Sequence, residues 1–340
     1  MSEIRKHYFL SEYCIIAEER GKRPSDFVSR EEEQKKQVST CVFCAGNEAK
    51  TPPASAGYKN GTLYFEEKAK RVQGWEIRCF PNLFPALSPS SAPLFPSGSL
   101  VVFPPVSPEL ALTQLAISGF GFHEVIVESP VHGKELEAFS DKELRLLMQV
   151  YRDRVAYYLE QDKIRSVSLF KNYGKAAGAS LEHAHSQLLA LPLLSPLLER
   201  EIQEIQNLNF CPYCSVFEKE SRSERLILKN RDCIAFAPFC SKVPFEVWIL
   251  PKKHVWSLEA CSDALLFSLG TLLRALVLKY RQKLGGPAYN LFFQILKAPE
   301  YHLSLRLLPR LSLAAGFELN TGIYINSVSP EKAASYLRKK

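Results

Sequence analysis

The chain repeats itself, and this limits the folds open to it more than any other feature. Around residue 123 it reads HEVIVESPVH, and around residue 245 it reads FEVWILPKKH. Without gaps, Glu124 meets Glu246, Val125 meets Val247 and His132 meets His254. The match continues at fixed distance. Ser140-Asp141 lies opposite Ser262-Asp263, and each pair opens an amphipathic helical stretch. Ser140 with Glu143 makes a capping box, in which side chain and backbone satisfy each other at a helix start. Forty residues after each histidine comes Asn172, in SLFKN, and Gln294, in LFFQ. Agreement over about fifty residues without an insertion points to a duplicated unit.

Each unit holds a Cys-x-x-Cys, then a strand (EVIVE, EVWIL), a helix, a second strand (SVSLFKN, YNLFFQI) and a last one. That last strand is HAHSQLLALP in the first unit and HLSLRLLP in the second. Each carries a proline seven residues after a histidine, His185 to Pro192 and His302 to Pro309. Strands that pair as hairpins, with helices between them, predict antiparallel sheet with helices packed on one face, an α+β class. The units divide at 1–195 and 196–340. Residues 193–225 read as the connection between them, and 88–99, SPSSAPLFPSGS, as a Ser/Pro loop.

At 340 residues and 46% hydrophobic content the chain can build large cores. No run approaches the roughly 18 to 20 uncharged apolar residues of a membrane span. The opening MSEIRKHYFLSEY lacks the apolar stretch of a secretory signal, so a cytoplasmic protein without a membrane partner is expected. Net charge is +7, with basic residues scattered rather than gathered in a stripe. That argues against nucleic acid and suits small phosphorylated substrates.

Nine cysteines include two Cys-x-x-Cys pairs, Cys41/Cys44 and Cys211/Cys214. Without a signal sequence such pairs point to metal or redox chemistry rather than structural disulfides. The other five, Cys14, Cys79, Cys233, Cys240 and Cys261, read as buried apolar fillers. Seven histidines include four near equivalent positions of the repeat. Cys41, Cys44, His132 and His183 make one Cys2His2 set; Cys211, Cys214, His254 and His302 make another. Thiolates with imidazoles in a four-ligand set favour zinc. In the second set either Glu300 or His302 can supply the fourth ligand, because aligning by proline puts Glu300 opposite His183 and His302 opposite His185; His302 is preferred. His123, whose repeat partner is Phe245, reads as a local packing or capping residue, and His7 carries no signal.

His183 and His185 fall two apart on a strand, so both project from one face, about 7 Å apart. If His183 holds zinc, His185 stands beside it free of the metal. A fixed neutral imidazole can attack phosphorus when its other nitrogen is hydrogen-bonded. Gln187 shares that face and can donate its amide to a phosphoryl oxygen. Gly178-Ala179-Ser180 reads as a tight turn offering N–H groups and a hydroxyl to the same group.

These residues resemble the galactose-1-phosphate uridylyltransferase family of the histidine-triad superfamily, close to the plant-type ADP-glucose phosphorylases. The resemblance spans nearly the whole chain: RGKRPSDF (20–27), CVFCAGNE (41–48), FPNLFPAL (80–87), GFHEVIVESPVH (121–132), FKNYG (170–174), GASLEHAHSQ (178–187) and GFELNTGIYIN (316–326). It implies two tandem histidine-triad-like units and a two-step exchange. His185 takes a nucleoside monophosphate from a nucleotide sugar, expels hexose 1-phosphate, and passes the group to a second anion. Gln187 and Ser180 would hold phosphoryl oxygens and Asn172 the nucleotide near phosphate and ribose. Asn82, Arg20 and Arg23 would contact the nucleotide, the arginines reaching its phosphates from the partner subunit, which implies a homodimer with shared active sites. Glu318 would lie near the sugar phosphate.

The family's commoner bacterial pattern has His-Pro-His-Gly-Gln where this chain has His-Ala-His-Ser-Gln, and a histidine cluster where this chain keeps only His302. The serine and the second Cys-x-x-Cys look more like the phosphorylase side. The expected activity is UDP-glucose:galactose-1-phosphate uridylyl transfer. The alternatives are ADP-glucose phosphorolysis, hydrolysis of the intermediate, and a non-catalytic zinc-stabilised nucleotide-binding protein. Zinc is the expected metal, with iron a second candidate in the second set.

Overall fold

The computed structural model describes residues 2–20, 41–90 and 118–339. Its strands, in chain order, are β1 (Glu3–Lys6), β2 (Tyr13–Ile16), β3 (Ala56–Lys59), β4 (Thr62–Tyr64), β5 (Ile77–Pro81), β6 (Phe122–Val127), β7 (Ser166–Tyr173), β8 (His185–Leu191), β9 (Leu226–Lys229), β10 (Cys233–Phe236), β11 (Val247–Pro251), β12 (Tyr289–Gln294), β13 (Ser304–Pro309) and β14 (Tyr324–Asn326). The helices are α1 (Asp141–Leu159), α2 (Pro196–Leu208), α3 (Pro212–Glu220), α4 (Asp263–Leu284), α5 (Gly316–Thr321) and α6 (Pro330–Arg338).

Eleven strands form one sheet in the order β4-β3-β5-β6-β8-β7-β12-β13-β11-β10-β9. Every pairing in it is antiparallel. The order reads as two copies of one motif meeting at β7 and β12, where Asn172 lies opposite Asn290 and Phe170 opposite Phe292. The duplication read from the sequence has thus become a single α+β sheet, joined strand to strand at its centre.

Both long helices begin as the sequence predicts. Ser140 caps α1 with the reciprocal Glu143 bond, and Ser262 caps α4 by accepting from the Leu265 N–H. They lie on the same face, packed over Leu169, Leu188, Leu291 and Leu305 in the largest core. The two helices also pack on each other, and Gly270 is the reason they can. A Cβ there would sit 2.9 Å from Met148 Cγ and 3.1 Å from Leu144 Cγ.

The stretch 193–225, expected as a connection, is largely helical. Pro at the start and a Ser195 cap fix α2, and Pro212 opens α3. These two helices cover the opposite face of the second half, burying Leu198, Ile205, Tyr213 and Phe217 with Trp248 and Leu250. Tyr8 and Phe9 join that cluster. The N-terminal strands therefore rest on the second half: β1, β2 and β14 form a separate three-stranded sheet, and Arg5 pairs with Glu331 at 2.9 Å. The loop expected at 88–99 lies mostly outside the described residues.

One detail of the repeat needs correction. The ungapped match sets Val125 against Val247 and Glu124 against Glu246. Yet Val125 and Val127 face the Cys41/Cys44 cluster, whereas Val247 and Ile249 face the long helices. Glu124 bonds Arg154 of α1, while Glu246 accepts from the indole N–H of Trp248. The structural counterpart of Val125 is Trp248, so the second copy is one residue shorter before His254. A strand tolerates no such slip silently, because one residue exchanges its two faces.

The contact between the two long helices yields a prediction. Gly270→Leu should destabilise the chain by about 1–3 kcal/mol through overpacking. Urea denaturation checks it; a change within about 0.5 kcal/mol, the usual surface scatter, would show that the helices do not depend on this close approach.

Candidate active site and metal centres

The Cys41–Cys44 turn approaches the sheet where β6 leaves it and β8 enters it. Cys44 donates its N–H back to the Cys41 carbonyl at 3.3 Å, which turns both thiols the same way. Cys41 Sγ lies 3.5 Å from His183 Nδ1, and Cys44 Sγ lies 3.4 Å from His132 Nδ1 and 3.6 Å from His183 Nδ1. All four ligand atoms fall within 4.8 Å of one another. His183 Nε2 contacts the Ser129 carbonyl at 2.7 Å. A carbonyl only accepts, so Nε2 carries the proton and Nδ1 points a lone pair at the sulfurs.

The second set repeats this geometry. Cys211, at the cap of α3, and Cys214, in its first turn, face His254 and His302. Sulfur to Nδ1 distances are 3.4 to 3.6 Å. His254 Nε2 donates to the Pro299 carbonyl at 2.7 Å and His302 Nε2 to the Pro251 carbonyl at 3.0 Å. The pairing of Phe292 with Arg306 mirrors that of Phe170 with Gln187, which makes His302 the counterpart of His183 and Ser304 that of His185. The proline alignment was out by two residues. Glu300 turns away and accepts from Gln206 at 3.1 Å.

Two sulfurs and two imidazole lone pairs converging at both sites fit a tetrahedral cation with soft and borderline ligands. Burial, reinforced by Cys41, pushes the Cys44 thiol up to about 11, and burial pushes that of Cys211 to about 12. A cation bound there must therefore displace protons.

His185 stands beyond His183 on β8, buried at 6% exposure. Its Nδ1 donates to the His183 carbonyl at 2.7 Å, leaving a lone pair on Nε2. The Phe43 ring packs edge-on 5.3 Å away. Burial holds the His185 ring below the ordinary histidine range, so it is neutral near pH 7. Behind β8, Ser186 donates to Glu128 at 2.5 Å, and Lys171 pairs with Glu128 at 2.8 Å and Glu135 at 3.1 Å. Burial opposes ionisation of Glu128, yet Lys171 and the hydroxyls hold its carboxyl below its usual range.

On the open face the β7·β8 register pairs Phe170 with Gln187. One pleat further along that register Asn172 falls opposite His185. Ser180 is exposed in the loop entering β8, after a left-handed Gly178 at φ +87°. Asn82 follows β5, and its Oδ1 accepts from the Phe84 N–H at 2.9 Å. Arg20 follows β2, and Glu318 lies in α5, just before β14. The Ala315 N–H, with Arg20 adding to it, lowers the Glu318 carboxyl. Arg23 lies outside the described residues.

His123 does more than pack locally. It accepts from the Ala86 N–H at Nδ1, 3.1 Å, and bonds Gln187 Oε1 through Nε2 at 2.9 Å. Asn290, which the repeat did not single out, donates to Asn172 Oδ1 at 2.8 Å. The available signal was strand alternation: His123 shares a face with Val125, the partner of Gln187.

If both sets hold metal, protein purified without chelator should carry about two zinc-like ions per chain. Stripping them should lower the thermal midpoint, since binding free energy at such sites is folding free energy. Metal analysis and melting curves check this. Metal-free protein with an unchanged midpoint would remove both assignments.

Residues 138–339 match a family described as Domain of unknown function (DUF4921), and residues 76–195 match "Galactose-1-phosphate uridyl transferase, N-terminal domain". ADP-glucose phosphorylase of Arabidopsis thaliana is 31% identical over 99% of this chain and 92% of its own. Galactose-1-phosphate uridylyltransferase of Thermotoga maritima is 30% identical over 64% of this chain and 74% of its own. The crystal structure of an ADP-glucose phosphorylase from A. thaliana with bound ADP-glucose shares the fold at TM-score 0.79 and 29% identity, covering 100% of this chain and 99% of that one. The chain belongs to the galactose-1-phosphate uridylyltransferase family, alongside ADP-glucose phosphorylase, and is a nucleotidyltransferase of that family.

Proposed function

We propose that this enzyme transfers adenylate from ADP-glucose to inorganic phosphate through a covalent adenylyl-His185. The observation that carries the chemistry is the Nδ1–H of His185 held at 2.7 Å by the His183 carbonyl, which leaves Nε2 as a directed lone pair. What favours adenylate is the likeness to ADP-glucose phosphorylase over 99% of the chain, together with the serine at 186 and the second Cys-x-x-Cys.

In the first step Nε2 attacks the α-phosphorus, an N–P bond forms, and the bond to the bridging oxygen breaks to release glucose 1-phosphate. The imidazole gains positive charge, which the His183 carbonyl stabilises through Nδ1–H. In the second step a phosphate oxygen attacks the same phosphorus, the N–P bond breaks, and ADP leaves with His185 neutral again. Gln187, Asn172 and the Ser180 turn offer donors to the phosphoryl oxygens, so positioning and charge neutralisation supply the catalysis. Zinc, held by the two Cys2His2 sets, would supply rigidity. Asn82, with Nδ2 3.1 Å from His123 Nε2, would meet the nucleotide on its own chain, while Arg20 and Arg23 would reach the phosphates of a second copy's nucleotide in a homodimer, with Glu318 near the sugar phosphate.

A second reading keeps the mechanism and exchanges the substrates: uridylyl transfer from UDP-glucose to galactose 1-phosphate. Its support is the match of residues 76–195 to the uridyl transferase domain.

Protein incubated with nucleotide-labelled ADP-glucose should become labelled and should release the label as ADP on adding phosphate. His185→Ala should reduce labelling at least about 10³-fold while nucleotide binding persists. Labelling by UDP-glucose alone would select the second reading. No labelling from either would remove both.

A further inference from the structure

Gln187 and Asn172 are amides, and an amide helps an anion only if its NH2 end faces that anion. Each has an oxygen end that a phosphoryl group would repel, and the two ends differ little in shape. Something must choose the orientation. The structure assigns that choice to His123 and Asn290, which act as positioning residues for the two amides; this rests on the nucleotidyl-transfer reading above.

The Ala86 N–H points at His123 Nδ1 from 3.1 Å, so Nδ1 must accept. The neutral ring then carries its proton on Nε2, which donates to Gln187 Oε1 at 2.9 Å. Asn82 Nδ2 also lies 3.1 Å from Nε2, an approach of two donors that makes no hydrogen bond in this tautomer. The backbone of residue 86 thereby sets the tautomer of His123, and His123 sets the amide of Gln187. Its NH2 is left for substrate.

Asn290 performs the same task from the other half of the molecule. Its Nδ2 donates to Asn172 Oδ1 at 2.8 Å and to the Ala177 carbonyl at 2.9 Å. The Ala177 carbonyl fixes the end of Asn290, and Asn290 fixes Asn172. The Asn172 NH2 then faces the turn, where a Cβ on Gly178 would lie 3.8 Å from it. The Ala177 bond also ties the start of the Gly178-Ala179-Ser180 turn to β12. Two donors are thus aligned beside His185 before substrate arrives, which is where electrostatic preorganisation acts.

The test is a pair of double-mutant cycles on the full-length protein, reading the single-turnover rate of labelling from ADP-glucose and UDP-glucose in parallel. His123→Ala and Asn290→Ala should each slow labelling by roughly 10- to 100-fold, with ADP-glucose affinity changed less than about threefold. In Gln187→Ala protein, His123→Ala should add no further loss, and likewise Asn290→Ala in Asn172→Ala protein, because the residue acted on is gone. His123→Gln, which can still donate through Nε2, should recover much of the rate. Where an alanine variant fails to fold, His123→Phe and Asn290→Asp carry the same comparison; neither can donate, so each should behave as the alanine does. Losses that multiply in the double variants, or single variants with wild-type rates, would overturn the assignment while leaving the transfer reading intact. A wild-type chain labelled by neither donor would overturn both.

Discussion

The pairing of β7 with β12 is the interaction on which the rest depends. It joins the two copies into one sheet and sets Asn172 opposite Asn290. Extending the β7·β8 register places His185, Asn172 and Asn290 in one row across three strands. Because neighbouring strands stand about 4.8 Å apart, such a row brings an imidazole and two amides within side-chain reach. The proposed catalytic face therefore belongs to both halves, although His185 belongs to one. Gly174 shows how tightly the seam closes: at φ +78°, a Cβ on it would meet Ala288 Cβ at 2.8 Å.

The two copies have kept one feature and divided another. Both retain the Cys2His2 cluster, with His183, His254 and His302 held through backbone carbonyls. Among the described residues, only the first leaves the sheet face beside it uncovered by a helix. In the second, Ser304 stands where His185 stands and Arg306 where Gln187 stands. Arg306 is buried and bonds Glu201 and the Tyr213 hydroxyl, each at 2.8 Å, while its guanidinium lies over Trp248. Glu201 comes from α2 and Tyr213 from α3, so the segment between the copies occupies the space a substrate would need. A buried ion pair with this many partners fixes α2 and α3 against the sheet, since losing either member would strand the other charge. The second copy has become the scaffold of the first.

The sequence made the repeat, both long helices, six central strands and both metal-type clusters legible, because each rests on local periodicity or on residue types with few other uses. It misread register. Glu124 and Glu246 look equivalent in the string, but one bonds Arg154 below the sheet and the other Trp248 above it; a one-residue difference in a loop leaves no local trace. Asn290 and His123 were hidden for a related reason. Their value lies in what stands across the sheet from them, and strand order is a long-range property. The docking of Tyr8 and Phe9 on the second half was likewise invisible in a segment whose own pattern is short. Local chemistry could be read; the partners of a polar residue needed the fold.

The geometry also gives a reason for a Cys2His2 cluster to sit next to the proposed nucleophile without binding it. His183 is held at three points: Nδ1 faces the cluster, Nε2 donates to the Ser129 carbonyl, and its own carbonyl receives the His185 Nδ1–H. The last of these bonds selects the tautomer of His185 and aims Nε2. A carbonyl can do this only if its peptide does not rotate, and a free strand end would let it. Anchoring residue 183 through its side chain restrains that peptide two residues from the reacting atom. In the proposed transfer the cluster would act through the backbone, as a fixed point behind a hydrogen bond, which needs neither an open coordination position nor contact with substrate.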